Sequence, residues 1–281
     1  MILPPYNVQF ITSTSVLNSR NNTFIFSMPT TVDVDDTVLL FTWSGETNDS
    51  KLNTAALPNS WSLLSEINTP TRQQVCLLRH TVLTEETATY TFPEITTGVG
   101  LPLFGFSLAY RGLDPSTALI SAGVTDITTN TVLFNCPSTT LVKNSDVYLG
   151  FTAGLSSIPI FSTPPINATE RVDSSGTLIS TYHASAFELL THKLGTTGVQ
   201  TVTLDTASTG VAASYALKAI SGNVDNYKTK LMRQMIQRSP LDTRLSSPLG
   251  VLLHVVGTQD NVIGGLFGDS DFLPDDPAGA F

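Results

Sequence analysis

The sequence predicts an all-β protein, an antiparallel two-sheet sandwich of jelly-roll type built from a duplicated half, with a C-terminal helix and an extended tail. Three observations lead there. Charged residues make up 13% of the 281, about half the usual share, while Ser, Thr, Val, Leu and Gly crowd the chain in short runs. From Phe104 to Tyr110 large apolar side chains take every second position, with Gly105, Ser107 and Ala109 between them. That is the period of a strand with one buried face. Finally, segments of the second hundred residues repeat segments of the first in the same order.

Residues 1–22 read as an extended, proline-marked arm. Met1-Ile2-Leu3-Pro4-Pro5 has neither the basic nor the apolar region of a secretion signal, and the first positive charge is Arg20. A strand is predicted at Thr23–Phe26 and stops at Met28-Pro29. The acidic turn Asp33–Asp36 introduces a second, Thr37–Trp43. Polar, turn-forming residues from Ser44 to Ser60 predict a long surface loop, which Trp61–Leu64 returns to the core. Further strands follow at Val75–His80 and at Ala88–Phe92, where the alternation is clean. The Phe104–Tyr110 strand ends at Gly112 and Asp114-Pro115, since proline cannot donate to a ladder.

The repeat rests on three pairs. Asp146–Thr152 matches Asp36–Thr42 in its Asp, Leu, Phe and Thr; Thr201–Leu204 matches Thr89–Phe92 as Thr-x-Thr-apolar; Ala213–Lys218 matches Phe106–Arg111 in its Ser, Ala and terminal base. The offsets are 110, 112 and 107 residues. Each half has too few strands to close a core by itself, so the halves are expected to interleave as two sheets packed face to face.

Composition also excludes. Fourteen basic against 23 acidic residues give a net charge of -9, opposite to the basic stripe that phosphate binding needs. No apolar run approaches the roughly 20 residues of a membrane span. Cys76 and Cys136, two thiols in a long chain, read as reduced core residues. His80, His183, His192 and His254 lack ligand spacing, and no Gly-x-Ser-x-Gly elbow is present. The carboxylate groups Asp33-Asp35-Asp36, Glu85-Glu86 and Glu170-Asp173 read as solvated turns and strand ends rather than a hydrolase pair. The first of them lacks the donor spacing of a calcium loop. No catalytic residue, metal or cofactor is expected.

In sum, Pro58-x-x-Trp61, Ala109-Tyr110-Arg111-Gly112-Leu113-Asp114, the second Asp-x-x-Leu strand, Thr169-Glu170-Arg171-Val172-Asp173 and the closing Ala216-Leu217-Lys218 resemble a β-sandwich module of bacteriophage virion proteins and large bacterial surface proteins. The resemblance runs from about Thr23 to Ile220. It departs at Pro164-Pro165-Ile166-Asn167-Ala168, where a Gly-Trp-like pair is expected. It implies a structural or adhesive role in the virion, tail- or fibre-associated, and carries over no catalytic residue. The alternatives are a capsid decoration or head-fibre protein, or a carbohydrate-binding adhesion module, for which Trp43, Trp61 and Tyr182 are the sequence's glycan donors. The loops Ser44–Ser60 and Leu155–Pro165 are candidates for contact with a host-surface glycan or a neighbouring protein.

Three regions follow: an arm at 1–22, the β domain at 23–222, and a helix and assembly tail at 223–281. Tyr227, Leu231, Met232, Met235 and Ile236 share one face of a helix that Asp225 can cap and Pro240 ends. The 37 residues from Leu245 hold no Lys or Arg, yet carry apolar clusters at Val251–Val256 and Val262–Phe267. Such clusters demand cover. Leu252, Val255, Val256, Ile263, Leu266, Phe267, Phe272 and Phe281 are therefore the candidate assembly contacts, with other copies of this chain and other virion proteins as partners.

Overall fold

The computed structural model describes residues 8–16, 23–45, 51–71, 73–95, 103–116, 118–143, 146–156, 160–177, 181–189 and 194–220. The expected helix and tail, residues 223–281, lie outside them. The described chain is all-β and antiparallel, with one short 3-10 turn at Thr54–Ala56. The first half contributes β1 (Gln9–Val16), β2 (Thr23–Ser27), β3 (Thr37–Ser44), β4 (Lys51–Leu52), β5 (Trp61–Asn68), β6 (Gln74–Thr81), β7 (Thr89–Ile95) and β8 (Phe104–Arg111). The second contributes β9 (Leu119–Cys136), β10 (Thr140–Leu141), β11 (Val147–Ser156), β12 (Ser162–Thr163), β13 (Ala168–Thr177), β14 (Thr181–Leu189), β15 (Gly195–Thr196) and β16 (Gln200–Leu217).

The two halves repeat one topology. The first forms a five-stranded sheet, β1-β8-β3-β6-β5, and a three-stranded one, β2-β7-β4. In the second half β9-β16-β11-β14-β13 run in the matching order, and the far parts of β9 and β16 pair again beside β12. The eighteen-residue β9 thus serves as β1 and β2 in one strand, and β16 as β7 and β8.

Register follows the same rule. Phe41 faces Leu77 and Phe106 on its two neighbours, and Phe151, 110 residues on, faces Ala186 and Ala213. Bulges recur at Leu64 and Arg171, each the third residue after its strand begins. The turn before β3 closes with Asp33 N donating to Asp36 Oδ2 at 2.8 Å; that before β11 closes with Lys143 N donating to Asp146 Oδ2 at 2.7 Å. Even the departure at Pro165 is conformationally a match. Ala168 N donates to Pro165 O as Trp61 N donates to Pro58 O, so this turn depends on the backbone and not on the tryptophan.

The five-stranded sheets face one another across a shared core that includes Leu39, Phe41, Phe106, Leu108, Tyr110, Leu149, Phe151 and Tyr215. Phe41 and Phe151, equivalent residues of the two halves, meet at 5.6 Å between ring centroids. β1 lies beside β13 and β5 beside β9, the reciprocity of a two-fold interface. Each half also closes a core of its own on the far side of its sheet. One holds Phe24, Phe26, Leu40, Trp61, Leu78 and Phe92, the other Phe134, Tyr148, Ile160, Phe187, Val202 and Leu204. That corrects the expectation of halves too small to do so, which missed β1, β9 and β14. Part of the expected N-terminal arm, Gln9–Val16, is an edge strand on β8, and the expected Ser44–Ser60 loop holds β4 and the 3-10 turn.

Candidate functional site: polar clusters and the two ends

The eight candidate assembly contacts, Leu252 to Phe281, lie outside the described residues, as do His192 and His254. Five clusters of polar groups among the described residues bear on possible chemistry. The acidic turn is occupied by an arginine, since Arg111 at the end of β8 donates from Nε to Asp36 Oδ1 at 2.8 Å and from Nη2 to Asp36 Oδ2 at 2.8 Å and Asp33 Oδ2 at 2.7 Å. Asp36 is 1% exposed. Its hydrogen bond holds the guanidinium above its ordinary range, against burial. A cation in this turn would have to displace that fork.

His80 is buried, stacked on Trp61 at 5.1 Å, with Nε2 2.7 Å from Glu86 and Nδ1 3.3 Å from the Ser60 carbonyl. Burial works against the Glu86 carboxylate, but hydrogen bonds from Tyr90, His80 and Leu83 N outweigh it and hold the carboxyl below its usual range. The cluster latches the β6–β7 turn to the first half's core.

The nearest approach to a catalytic constellation is Ser208, His183 and Asp205. His183 Nε2 is 3.3 Å from Ser208 Oγ, and both residues are 2% exposed. Ser208 Oγ donates to the Leu155 carbonyl at 2.7 Å, so the ring nitrogen carries the proton toward the hydroxyl, opposite to what a general base requires. Burial pushes the imidazole down to about 4, with Asp205 opposing weakly. This is a satisfied core histidine.

Glu170 and Asp173 are brought to one face by the Arg171 bulge and share Ser162, which donates its hydroxyl to Glu170 at 2.9 Å and its N–H to Asp173 at 3.2 Å. Burial raises both carboxyls. The fifth cluster pins the seam. Gln73, fully buried, accepts from Trp43 Nε1 at 2.7 Å and donates to Asp126 at 3.2 Å and to the Gly210 carbonyl at 3.4 Å. At the other edge Arg171 lies 4.3 Å over the Phe10 ring and donates to Glu188, which also accepts from Tyr110. Among the described residues no group of three or more His, Cys, Asp or Glu is arranged to hold a metal.

The aromatic donors expected of a glycan site are in the core instead, because Trp43, Trp61 and Tyr182 are at most 7% exposed. Trp43 and Tyr182 pack into the core shared by the two halves, and Trp61 into the core of the first half. Cys76 and Cys136 are free and buried, their thiols pushed up to about 12 by burial. Among the described residues no helix is long and apolar enough to cross a membrane.

What sequence reasoning missed is positional. The strands alternate direction, so loops collect at two ends. At one end the link between halves, Gly112–Ser116, meets the exit of β16: Leu113 bridges Ala219, Asp114 N donates to Lys218 O, and Ile220 N donates to Gly112 O at 2.9 Å. At the other end the β5–β6 turn holds Thr71 and Gln73 against Asp126. Only long-range pairing brings these together, and no local pattern announces it. Compared with known proteins, the chain is matched by no family model, no curated protein and no solved structure.

Proposed function

We propose that this chain is a structural component of a bacteriophage particle, tail- or fibre-associated, that joins other copies of itself and other virion proteins through its terminal segments. Each half reads as a jelly-roll-like sandwich, and the observation that carries the proposal is its strand order. Eight strands of the first half fall as β1-β8-β3-β6 with β5 and as β2-β7-β4, and in the second half six strands follow the same order, β9 and β16 each serving twice; this is the strand order of the two-sheet arrangement that viral capsid and lectin domains share. The lectin reading needs exposed aromatics in a groove, and Trp43, Trp61 and Tyr182 are buried. A structural role needs sticky extensions, and the chain after Leu245 supplies apolar clusters without a single cation. No enzymatic step is assigned, because the nearest dyad, His183–Ser208, is buried and points its proton the wrong way.

Truncation after Arg244 tests it. The account expects a folded, soluble product that no longer assembles. An unfolded, aggregating product would show that the removed segment completes the fold of its own chain.

A further inference from the structure

We infer that the end of the molecule from which both terminal segments leave is the surface that receives the apolar C-terminal segment of a second copy. This rests on the assembly reading above and adds where that segment docks.

The geometry begins at Arg111 and Gly112. Gln9 pairs with Arg111, and Ile220 N donates to the Gly112 carbonyl. Gln9, next to the first described residue, and Ile220, the last, therefore contact adjacent residues at the end of β8. Residues 1–7 and 221–281 continue from this one end.

The same end is where the described surface is greasiest. Of thirteen exposed large hydrophobic residues among those described, seven lie in its loops. Val34 and Leu83 come from the first half, Val142, Ile166, Leu194 and Val199 from the second, and Ile220 is the exit itself. Five of the other six lie within strands. Val142 and Leu194 are the next pair along the β10·β15 register, and the bond from Asp35 N to Val82 O brings Val34 and Leu83 to one rim. Ile166, 98% exposed, tips the Pro165 turn. Single exposed aliphatics are ordinary, but a gathering at one end marks an interface.

The occupant follows from what the chain still has to cover. Sixty-one residues continue from Ile220, and the clusters at Val251–Val256 and Val262–Phe267 need apolar cover. A two-fold pair of copies meeting end to end starts each segment beside the other's greasy end, so the exchange is reciprocal and closes. Apolar side chains then fill gaps between loops while main-chain groups pair with the short β10·β15 ribbon.

The test uses the full chain and sedimentation velocity over a concentration series, with circular dichroism to verify folding. Val142→Glu with Val199→Glu places two charges on exposed end positions. Ile25→Glu with Leu133→Glu places two on exposed strand positions elsewhere, and Leu266→Ser with Phe267→Ser alters the segment. The expected result is a rise of about tenfold or more in the concentration for half-association in the end and segment variants, and none in the strand variant. Association lost in the segment variant but kept in the end variant overturns the docking site and leaves the assembly reading standing. Loss in the strand variant alone moves the site to the outer sheets and overturns it as well. A parent chain that never associates overturns both.

Discussion

At the scale of residues, the buried aspartates before β3 and β11 carry the tightest local bonding. Asp146 accepts from Val142 N, Lys143 N and Ala219 N, so Asp146→Ala leaves the buried Ala219 donor without its partner and opens the turn that the other two bonds close. A loss of at least about 2 kcal/mol is expected in urea unfolding. Asp33→Ala removes only a half-exposed partner of Arg111 and is expected to cost less than about 1 kcal/mol. His183 sets a pH dependence. Its folded imidazole titrates near 4 against an ordinary 6.5, so between these values the unfolded chain binds a proton that the folded chain refuses. Stability is complete above pH 6.5 and falls by up to about 3 kcal/mol as pH drops toward 4. His183→Gln, which installs the residue found at the equivalent Gln74, is expected to flatten that slope in denaturant melts at pH 7 and pH 4.5. An unchanged slope would assign the acid sensitivity to other groups.

At the scale of elements, close approach fixes the central strands. A Cβ on Gly105 would lie 2.0 Å from the Phe41 carbonyl oxygen, and one on Gly150 2.0 Å from the Phe187 ring. Gly105→Ala must therefore push β8 off β3, and a loss of about 3 kcal/mol or more is expected, read as a fall in the thermal midpoint. Strands were legible either from alternation, as in β7 and β8, or from a continuous apolar run, as in β3 and β6. β3, β6, β7 and β8 stand within a residue or three of their expected bounds. β9 was not legible: most of its residues are half-buried or exposed, with polar Thr-Asp-Ile-Thr-Thr-Asn at its centre, because an edge strand that passes from one sheet to another has no single buried face. β14 was missed for the opposite reason, since both its faces are covered and its small residues Ala184, Ser185 and Ala186 show no period of two. The glycan donors failed on the same ground, because aromatic residues at inward positions look alike whether they face a ligand or a core.

At the scale of the whole molecule, three matched segments in the sequence were enough to indicate a duplication, and long-range pairing shows how complete it is. The seam between the halves buries equivalent residues, Phe41 on Phe151, and is pinned at its edges by Gln73–Asp126 and Tyr110–Glu188. Phe151→Ala strikes both halves at once and is expected to cost about 3–5 kcal/mol. By contrast Phe92→Ala strikes the core of one half, so hydrogen exchange in that variant should rise in β2 and β7 ahead of β9 and β16. Uniform exchange in all four strands would mean that the two outer cores do not open separately.

The claim on which this account depends is that residues 251–267 are buried by another copy of the chain. Amide exchange of those residues, measured on the full chain across a concentration series, tests it most directly. Protection that appears as copies associate and vanishes on dilution is the predicted result. Full protection in the most dilute, unassociated chain would contradict it.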